Sequence, residues 1–276
     1  MTAPDLAVGR PATRVGAARV PLLARLGGIF IYLRTMLAFC VVWYIAALLI
    51  HSRLLLPSPI DVLGALKEVA LDGDLALHGL TSLGRLLVSL AFAAVVGLPL
   101  GLLIGLSRFW EDVFEVPIEL LRPIAGIAWI PLALFIFGIG GTLPVFIMFY
   151  TAFFPLVIGA AAGVRNVDRR LVAAANTMGV TGLPLVVHVI VPAALPLIIV
   201  ALRLAVASAW TAVVAAELVG APSGLGYAIE YYRNMLATDH VMAFIALIGL
   251  LGFLTDLGLR LLERWMAPWA RDRRLP

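Results

Sequence analysis

Charged residues are scarce in this chain of 276 residues. They make up 13% of it, whereas 63% of its residues are hydrophobic. Soluble globular domains carry about 25% charged and about 45–50% apolar residues. The mean hydropathy of +1.07 therefore excludes an ordinary soluble domain. It predicts several lipid-embedded helices, since each needs about 20 apolar residues to cross a bilayer.

Cysteine and lysine are almost absent. The one cysteine, Cys40, excludes an intrachain disulfide and leaves the redox compartment open. The one lysine, Lys67, follows Leu66 and not the glycine of a phosphate-binding G-x-x-x-x-G-K-[ST] loop. Any ATPase that works with this chain must therefore be another polypeptide.

Catalytic and metal-binding patterns are also missing. The sequence has no H-E-x-x-H motif and no Cys/His cluster. A weak G-x-S turn ends at Ser107, but a nucleophilic serine needs a base within hydrogen-bond reach. His51, His78 and His240 fall in predicted outer segments, and His188 falls in a predicted cytoplasmic loop. The sequence thus predicts neither an enzyme nor a metal site.

Six apolar runs bounded by charges, glycine and proline predict six transmembrane helices. They are residues 29–50, 83–106, 118–139, 143–164, 193–219 and 241–262. Only residues 138–142, with three glycines, separate the third run from the fourth. Such a segment favours a tight turn, so these two spans are expected to form an antiparallel membrane hairpin.

The positive charges predict the orientation. Sixteen of the 20 basic residues fall on one side of the six spans, and the other side keeps Arg53, Lys67, Arg85 and Arg233. Positive residues accumulate in cytoplasmic loops, so both termini are expected in the cytoplasm. Arginines that flank apolar runs also explain the net charge of +4 without a nucleic-acid partner.

This topology divides the chain into a cytoplasmic basic tail (1–28), a transmembrane domain (29–264) with a cytoplasmic loop at 165–192, and a cytoplasmic tail (265–276). A signal peptide is the alternative for the amino end, but no A-x-A site follows the first run, and cleavage would break the even count. On the outer side, residues 61–71 predict an amphipathic interfacial helix.

Three ionisable residues of the predicted spans, Arg203, Glu217 and Asp256, are candidates for a function, because a buried charge is expensive in a membrane. Arg203 either attracts an anionic substrate or forms a structural pair, the second being favoured if Pro192 and Pro196 delay the start of its helix. Asp256 lies four residues before Arg260, a spacing typical of a structural ion pair.

The third such residue, Glu217, lies near the outer end of the fifth span. Its carboxylate is expected to accept backbone N–H groups from the turn at Ser223 and Gly224.

A stripe of small residues runs along the second span, where every fourth residue is small: Ser89, Ala93, Gly97, Gly101 and Gly105. This small-xxx-small spacing predicts close packing of two helices. The partner helix belongs either to this chain or to a second copy.

The cytoplasmic connection at 165–192 contains a predicted short helix. Asn166 or Asp168 caps its start, and Gly179 provides a left-handed stop after residues 169–178. Its alanines leave the backbone free to enter a cleft of a partner protein. The alternative is a plain connecting loop.

This stretch resembles the cytoplasmic loop of ABC importer permeases, whose pattern is Glu-Ala-Ala, three residues, Gly, nine residues and Ile-x-Leu-Pro. Here alanine stands in place of the glutamate, and valines replace the isoleucine and the leucine. The matching positions, which the resemblance implies to couple to an ATPase, are Ala173, Ala174, Ala175, Gly179, Val189 and Pro192.

The resemblance extends over residues 54–269 and narrows to the taurine, sulfonate and nitrate branch. Its motifs include Leu-Pro-Ser-Pro at 56–59, Ser-Leu-Gly-Arg at 82–85, Leu-Arg-Pro at 121–123, Ala-Trp-Ile-Pro-Leu at 128–132 and Ala-Ala-Glu at 215–217. Ala125 stands where the family often has a second proline. The sequence from 236 onward is most similar to taurine permeases.

This resemblance implies an all-α type I permease of the bacterial inner membrane that forms a homodimeric pore. Its implied partners are two ATPase subunits, which bind ATP and Mg, and a periplasmic substrate-binding protein; the chain itself binds no cofactor. The implied substrate is taurine or a related sulfonate, with nitrate or another small anion as the alternative. A secondary carrier would show an inverted repeat, and none is found between the two halves.

Overall fold

A computed structural model describes the backbone of residues 22–267 and the side chains of residues 34–267. Every regular element in this part of the chain is a helix. The contacts divide the chain between His51 and Ser52. The first unit contains α1 (Leu22–Ile50).

The second unit contains the other helices. They are α2 (Pro59–Leu71), α3 (Asp74–Leu106), α4 (Arg108–Leu121), α5 (Ile130–Phe137), α6 (Thr142–Arg165), α7 (Arg169–Thr177), α8 (Leu183–Leu185), α9 (Val191–Gly220), α10 (Leu225–Asn234) and α11 (Thr238–Met266). A 3₁₀ turn (Gly126–Trp129) precedes α5, and a π-helical turn (Val186–Ile190) joins α8 to α9.

Among residues 34–267, four helices are long and apolar enough to cross a membrane: α3, α6, the continuous segment Leu183–Gly220, and α11. A fifth span is broken and consists of α4 and the segment Gly126–Phe137, which meet at a bend of 82°. The first predicted run falls in α1. The part of α1 whose side chains are described, Arg34–Ile50, is apolar but shorter than these spans. Residues 1–28 and most of 265–276, the predicted tails, lie outside the residues whose side chains are described.

The third predicted span is not one continuous helix, and that expectation was wrong. Pro123 has no N–H to continue α4, and Ala125 is extended with ψ 137°. The chain then turns through the 3₁₀ segment into α5. The expected hairpin therefore pairs only the short α5 with α6, through a turn that begins at Gly138 with φ +69°.

The fifth predicted span begins earlier than Pro192 and Pro196 suggested. The helical segment starts at Leu183 and runs for 38 residues. In the π-helical turn, the N–H of Val191 bonds to the carbonyl of Val186, five residues back. The helix therefore continues through Pro192, although proline has no backbone N–H to donate. Arg203 thus lies 20 residues beyond Leu183, about 30 Å along the helix at ~1.5 Å per residue.

Helix α6 is the centre of the core and packs along α3 on one side and α9 on the other. The contact surface is built from small and branched side chains, among them the fully buried Ala152, Leu156 and Ala205. Facing positions advance together along α3 and α6, from Gly97 opposite Val157 to Gly105 opposite Val164. These two helices therefore run in the same direction.

Helix α2 begins with a reciprocal cap. The hydroxyl of Ser58 donates to Asp61 Oδ2 at 2.6 Å and accepts the N–H of Asp61 at 3.2 Å. The hydroxyl and the backbone N–H of Ser58 both hold the pKa of the Asp61 carboxyl below its usual range. The helix buries Val62, Ala65 and Val69 on one face, as an amphipathic helix requires.

Candidate coupling helix and transport path

Helix α7 is a short unit that is capped at both ends. Asp168 caps its start by accepting the N–H of Arg170 at 2.8 Å, so Asp168 is the cap of the two candidates. Gly179 has φ +79°, and its N–H donates to Asn176 while that of Val180 donates to Ala175, both at 3.0 Å. This pair of bonds is a Schellman motif, which ends the helix in a defined direction.

The two sides of α7 have different surroundings. Ala175 is buried and the half-buried Val172 packs on the cluster that contains Ile190 and Ala194. On an adjoining side, three apolar residues at i, i+3 and i+7 spacing are exposed: Leu171 (45% exposed), Ala174 and Met178 (81% exposed). We call these three residues the exposed face of α7.

The remaining predicted coupling residues lie where the fifth span begins. Val189 belongs to the π-helical turn, and Pro192 lies in the first turn of α9. The π-helical turn contacts α7 directly, with Ile190 buried between them. The start of a membrane span therefore lies directly against α7. Ala173, which stands in the position of the family glutamate, is also accessible to solvent. It lies on a different side of α7 from Leu171, Ala174 and Met178.

The small-residue stripe of α3 packs against α6 of the same chain. A Cβ atom at Gly97 would lie 3.4 Å from Val157, in ordinary contact. At Gly101 it would lie 2.5 Å from the carbonyl oxygen of Val157, and at Gly105 2.7 Å from Val164. The backbones are therefore too close for a larger residue at the last two positions.

We expect Gly101→Ala to lower the melting temperature in detergent by several degrees. The new methyl group must push α3 and α6 apart, and such overpacking typically costs about 1–3 kcal/mol. Gly84→Ala on the same helix is the matched control, because nothing lies within 4 Å of its Cβ position. Equal melting temperatures for the two variants would contradict this packing.

Arg203 and Asp256 join α9 to α11. The guanidinium of Arg203 lies 2.9 Å from Asp256 and 3.8 Å from Glu263. Asp256 also accepts from Arg260 at 2.7 Å, the pair that their spacing predicts. Two carboxylates thus surround Arg203, which favours the structural alternative; contact of Arg203 with substrate stays a prediction.

Glu217 is fully buried and lies at the centre of a polar cluster at the outer end of the spans. Its carboxylate accepts from the Ser82 hydroxyl at 2.7 Å and from Arg85 Nη1 at 2.8 Å. Its backbone donor is the N–H of Gly226 at 3.0 Å. The expected bond from a backbone N–H group is therefore present, and its donor lies two residues after Gly224.

The rest of this turn is held by α3. The carbonyl of Ser223 accepts from Arg85 at 2.6 Å, and the N–H of Gly224 donates to His78 at 3.1 Å. Gly224 has φ +113°, and a Cβ there would collide with the Glu217 carboxylate. Sequence reasoning missed Arg85 as the partner of Glu217. Arg85 lies three residues after Ser82, and this spacing places Ser82 and Arg85 on one face of α3.

A cavity of about 580 Å³ lies beneath the break of the third span, between α6 and α9. Its polar lining includes Arg122, Tyr150, Thr151 and Ser208. A neighbouring cavity of about 320 Å³ is lined by three glutamates of α4, and both cavities share Arg122 and Asn166. In the described residues no group of three His, Cys, Asp or Glu side chains is placed to hold a metal ion.

Comparisons with known proteins agree with this architecture. Residues 97–268 match the family described as binding-protein-dependent transport system inner membrane component. The chain is 38% identical over 232 residues to the taurine transport system permease protein TauC of Escherichia coli (strain K12), covering 82% of this chain and 84% of that protein. It is also 38% identical over 218 residues to the putative aliphatic sulfonates transport permease protein SsuC of the same organism, covering 79% and 83%.

Among solved structures, a chain of the MetNI methionine ABC transporter in inward facing conformations aligns with a TM-score of 0.59 at 22% identity. The alignment covers 68% of this chain and 94% of that one. This likeness shows the fold, and it confirms the expected all-helical type I permease.

The family match spans more than half of the chain, and the two relatives cover about four fifths of it. The expected multi-pass location in the inner membrane and the separate ATPase are thereby confirmed, since the relatives are permease subunits. The family also implies a substrate-binding protein as partner. The chain belongs to the inner membrane components of binding-protein-dependent ABC importers.

Proposed function

We propose that this chain forms the membrane pathway of an ATP-driven importer for a small anion, taurine or a related sulfonate. The observation that carries the proposal is its similarity, at 38% identity over about four fifths of its length, to permeases named for taurine and for aliphatic sulfonates. Two copies of the chain form the pore. Two copies of a separate ATPase bind the ATP and Mg.

Alternating access is the mechanism that this arrangement supports. The exposed face of α7 offers an apolar contact for the ATPase, and the adjoining side of α7 packs on the π-helical turn at the start of the fifth span. Closure of the ATPase dimer around ATP moves α7 as a rigid lever and reorients the spans. Each ligand then favours the state that it binds better.

The test is uptake of radiolabelled taurine into proteoliposomes that contain this chain, its ATPase and its binding protein. We expect uptake to need ATP and all three proteins. We also expect alkanesulfonates to compete with taurine for uptake. Preferential competition by nitrate would overturn the sulfonate assignment. Uptake by the chain alone would overturn the coupling to an ATPase.

A further inference from the structure

Arg122 differs from three other arginines of the membrane domain that lie close to carboxylates. Arg85, Arg165 and Arg203 each contact a carboxylate within 3 Å. Within residues 34–267, no hydrogen bond or ion pair involves the guanidinium of Arg122, although it lines both cavities. It is the only charged residue among the described residues that line the larger cavity.

Arg122 lies deep in the membrane. The hydroxyl of Tyr150 donates to the carbonyl of Leu121, next to Arg122, at 2.7 Å. Tyr150 lies 8 residues from the outer end of α6 at Thr142 and 15 from its cytoplasmic end at Arg165, about 12 and 22 Å at ~1.5 Å per residue. A charged group at this depth must face protein or water, and functional sites are where such groups are usually found.

The cavity beside Arg122 suits a small polar solute. The hydroxyl groups of Tyr150, Thr151 and Ser208 lie along its wall. A Cβ at Gly126 would collide with the Thr151 hydroxyl, so the broken span lies directly against α6. The lining extends along α9 from Ser208 to Leu197 and along α6 to Asn166. The cavity therefore runs from the break towards the cytoplasmic ends of both helices.

We propose that Arg122 contacts the acidic group of the substrate in the membrane interior and that the cavity beneath it is the inner part of the substrate's path. This rests on the proposed transport of a small anion. A guanidinium suits a sulfonate because its N–H donors match an oxyanion with two hydrogen bonds. Arg203 already pairs with two carboxylates, whereas the guanidinium of Arg122 has no partner among residues 34–267 and is free to bind an anion.

The charges beyond Arg122 explain how a bound anion leaves. Glu111, Glu115 and Glu119 line the adjoining cavity, and of these three only Glu111 has a cationic partner, Arg165 at 2.9 Å. Their negative charge disfavours a second resting place for an anion on the cytoplasmic side. Transport needs such weak retention, because a solute that binds too tightly blocks its own path.

Arg122→Gln in the assembled complex tests the proposal. We expect kcat/KM for radiolabelled taurine to fall at least about tenfold, the loss typical of one charge-assisted contact, while Arg122→Lys retains part of it. ATP hydrolysis in the complex should persist, because the substitution leaves every residue of α7 unchanged. Arg108→Gln is the control and should keep its kcat/KM for taurine, because Arg108 is exposed and lines neither cavity.

A cysteine variant separates charge from structure. In a Cys40→Ser background, Arg122→Cys should lose uptake, regain it with a thiol reagent that adds an ammonium group, and not regain it with one that adds a sulfonate. Equal restoration by both reagents, or unchanged uptake in Arg122→Gln, would overturn the role of Arg122. If the unmodified complex takes up none of taurine, alkanesulfonates or nitrate, the proposed function fails instead.

Discussion

Arg85→Met is expected to lower the free energy of unfolding by about 3–5 kcal/mol, because it leaves the carboxylate of Glu217 buried without a counter-charge. Glu217 is fully buried and the Arg85 side chain is 11% exposed, so water cannot replace the lost partner. The variant also removes the donor to the carbonyl of Ser223. The outer turn therefore loses one of its attachments to α3 together with the ion pair, while the bond from Gly224 to His78 remains.

The matched control is Arg233→Met. Arg233 also pairs with a glutamate, Glu230, but its side chain is 64% exposed, and exposed pairs contribute about 0–1 kcal/mol. Thermal unfolding in detergent compares the two variants. The double variant Arg85→Met/Glu217→Leu should recover part of the loss, because no charge then stays buried. Equal destabilisation by Arg85→Met and Arg233→Met would refute the importance of burial.

The spans and the coupling helix could be predicted because their signals are local. Continuous apolar runs predicted the helices, and the caps of α7 follow from Asp168 and Gly179, each within a few residues of the helix. The break of the third span escaped prediction because the run 118–139 is apolar except for Glu119 and Arg122 near its start. Only the missing N–H of Pro123 and the extended Ala125 separate α4 from the next turn.

The buried polar contacts could not be predicted because they join residues far apart in the sequence. Glu217 lies 132 residues from Arg85, and Arg203 lies 53 residues from Asp256. Sequence spacing found the local pair of Asp256 and Arg260 and offered no means of pairing Arg203. The same limit applies to Arg122, since its position beside a cavity depends on the packing of α6 and α9.

Ala174→Arg is expected to uncouple ATP hydrolysis from transport while leaving the chain folded. Ala174 is exposed at the centre of the exposed face of α7, between Leu171 and Met178, so an arginine fits the isolated chain. In the complex it would place a charge in an apolar contact. A loss of about 2 kcal/mol, typical of a central interface residue, weakens docking about 30-fold.

Three measurements on proteoliposomes and detergent-solubilised protein check this expectation: retention of the ATPase by the tagged chain, ATP hydrolysis stimulated by the loaded binding protein, and ATP-dependent uptake. Ala173→Glu is the matched control, because Ala173 is exposed on another side of the same helix and glutamate is the family residue there. All three readouts should fall in Ala174→Arg and persist in Ala173→Glu. Unchanged coupling in Ala174→Arg would overturn the lever mechanism, because a rigid helix that does not contact the ATPase through this face has no means of moving with it.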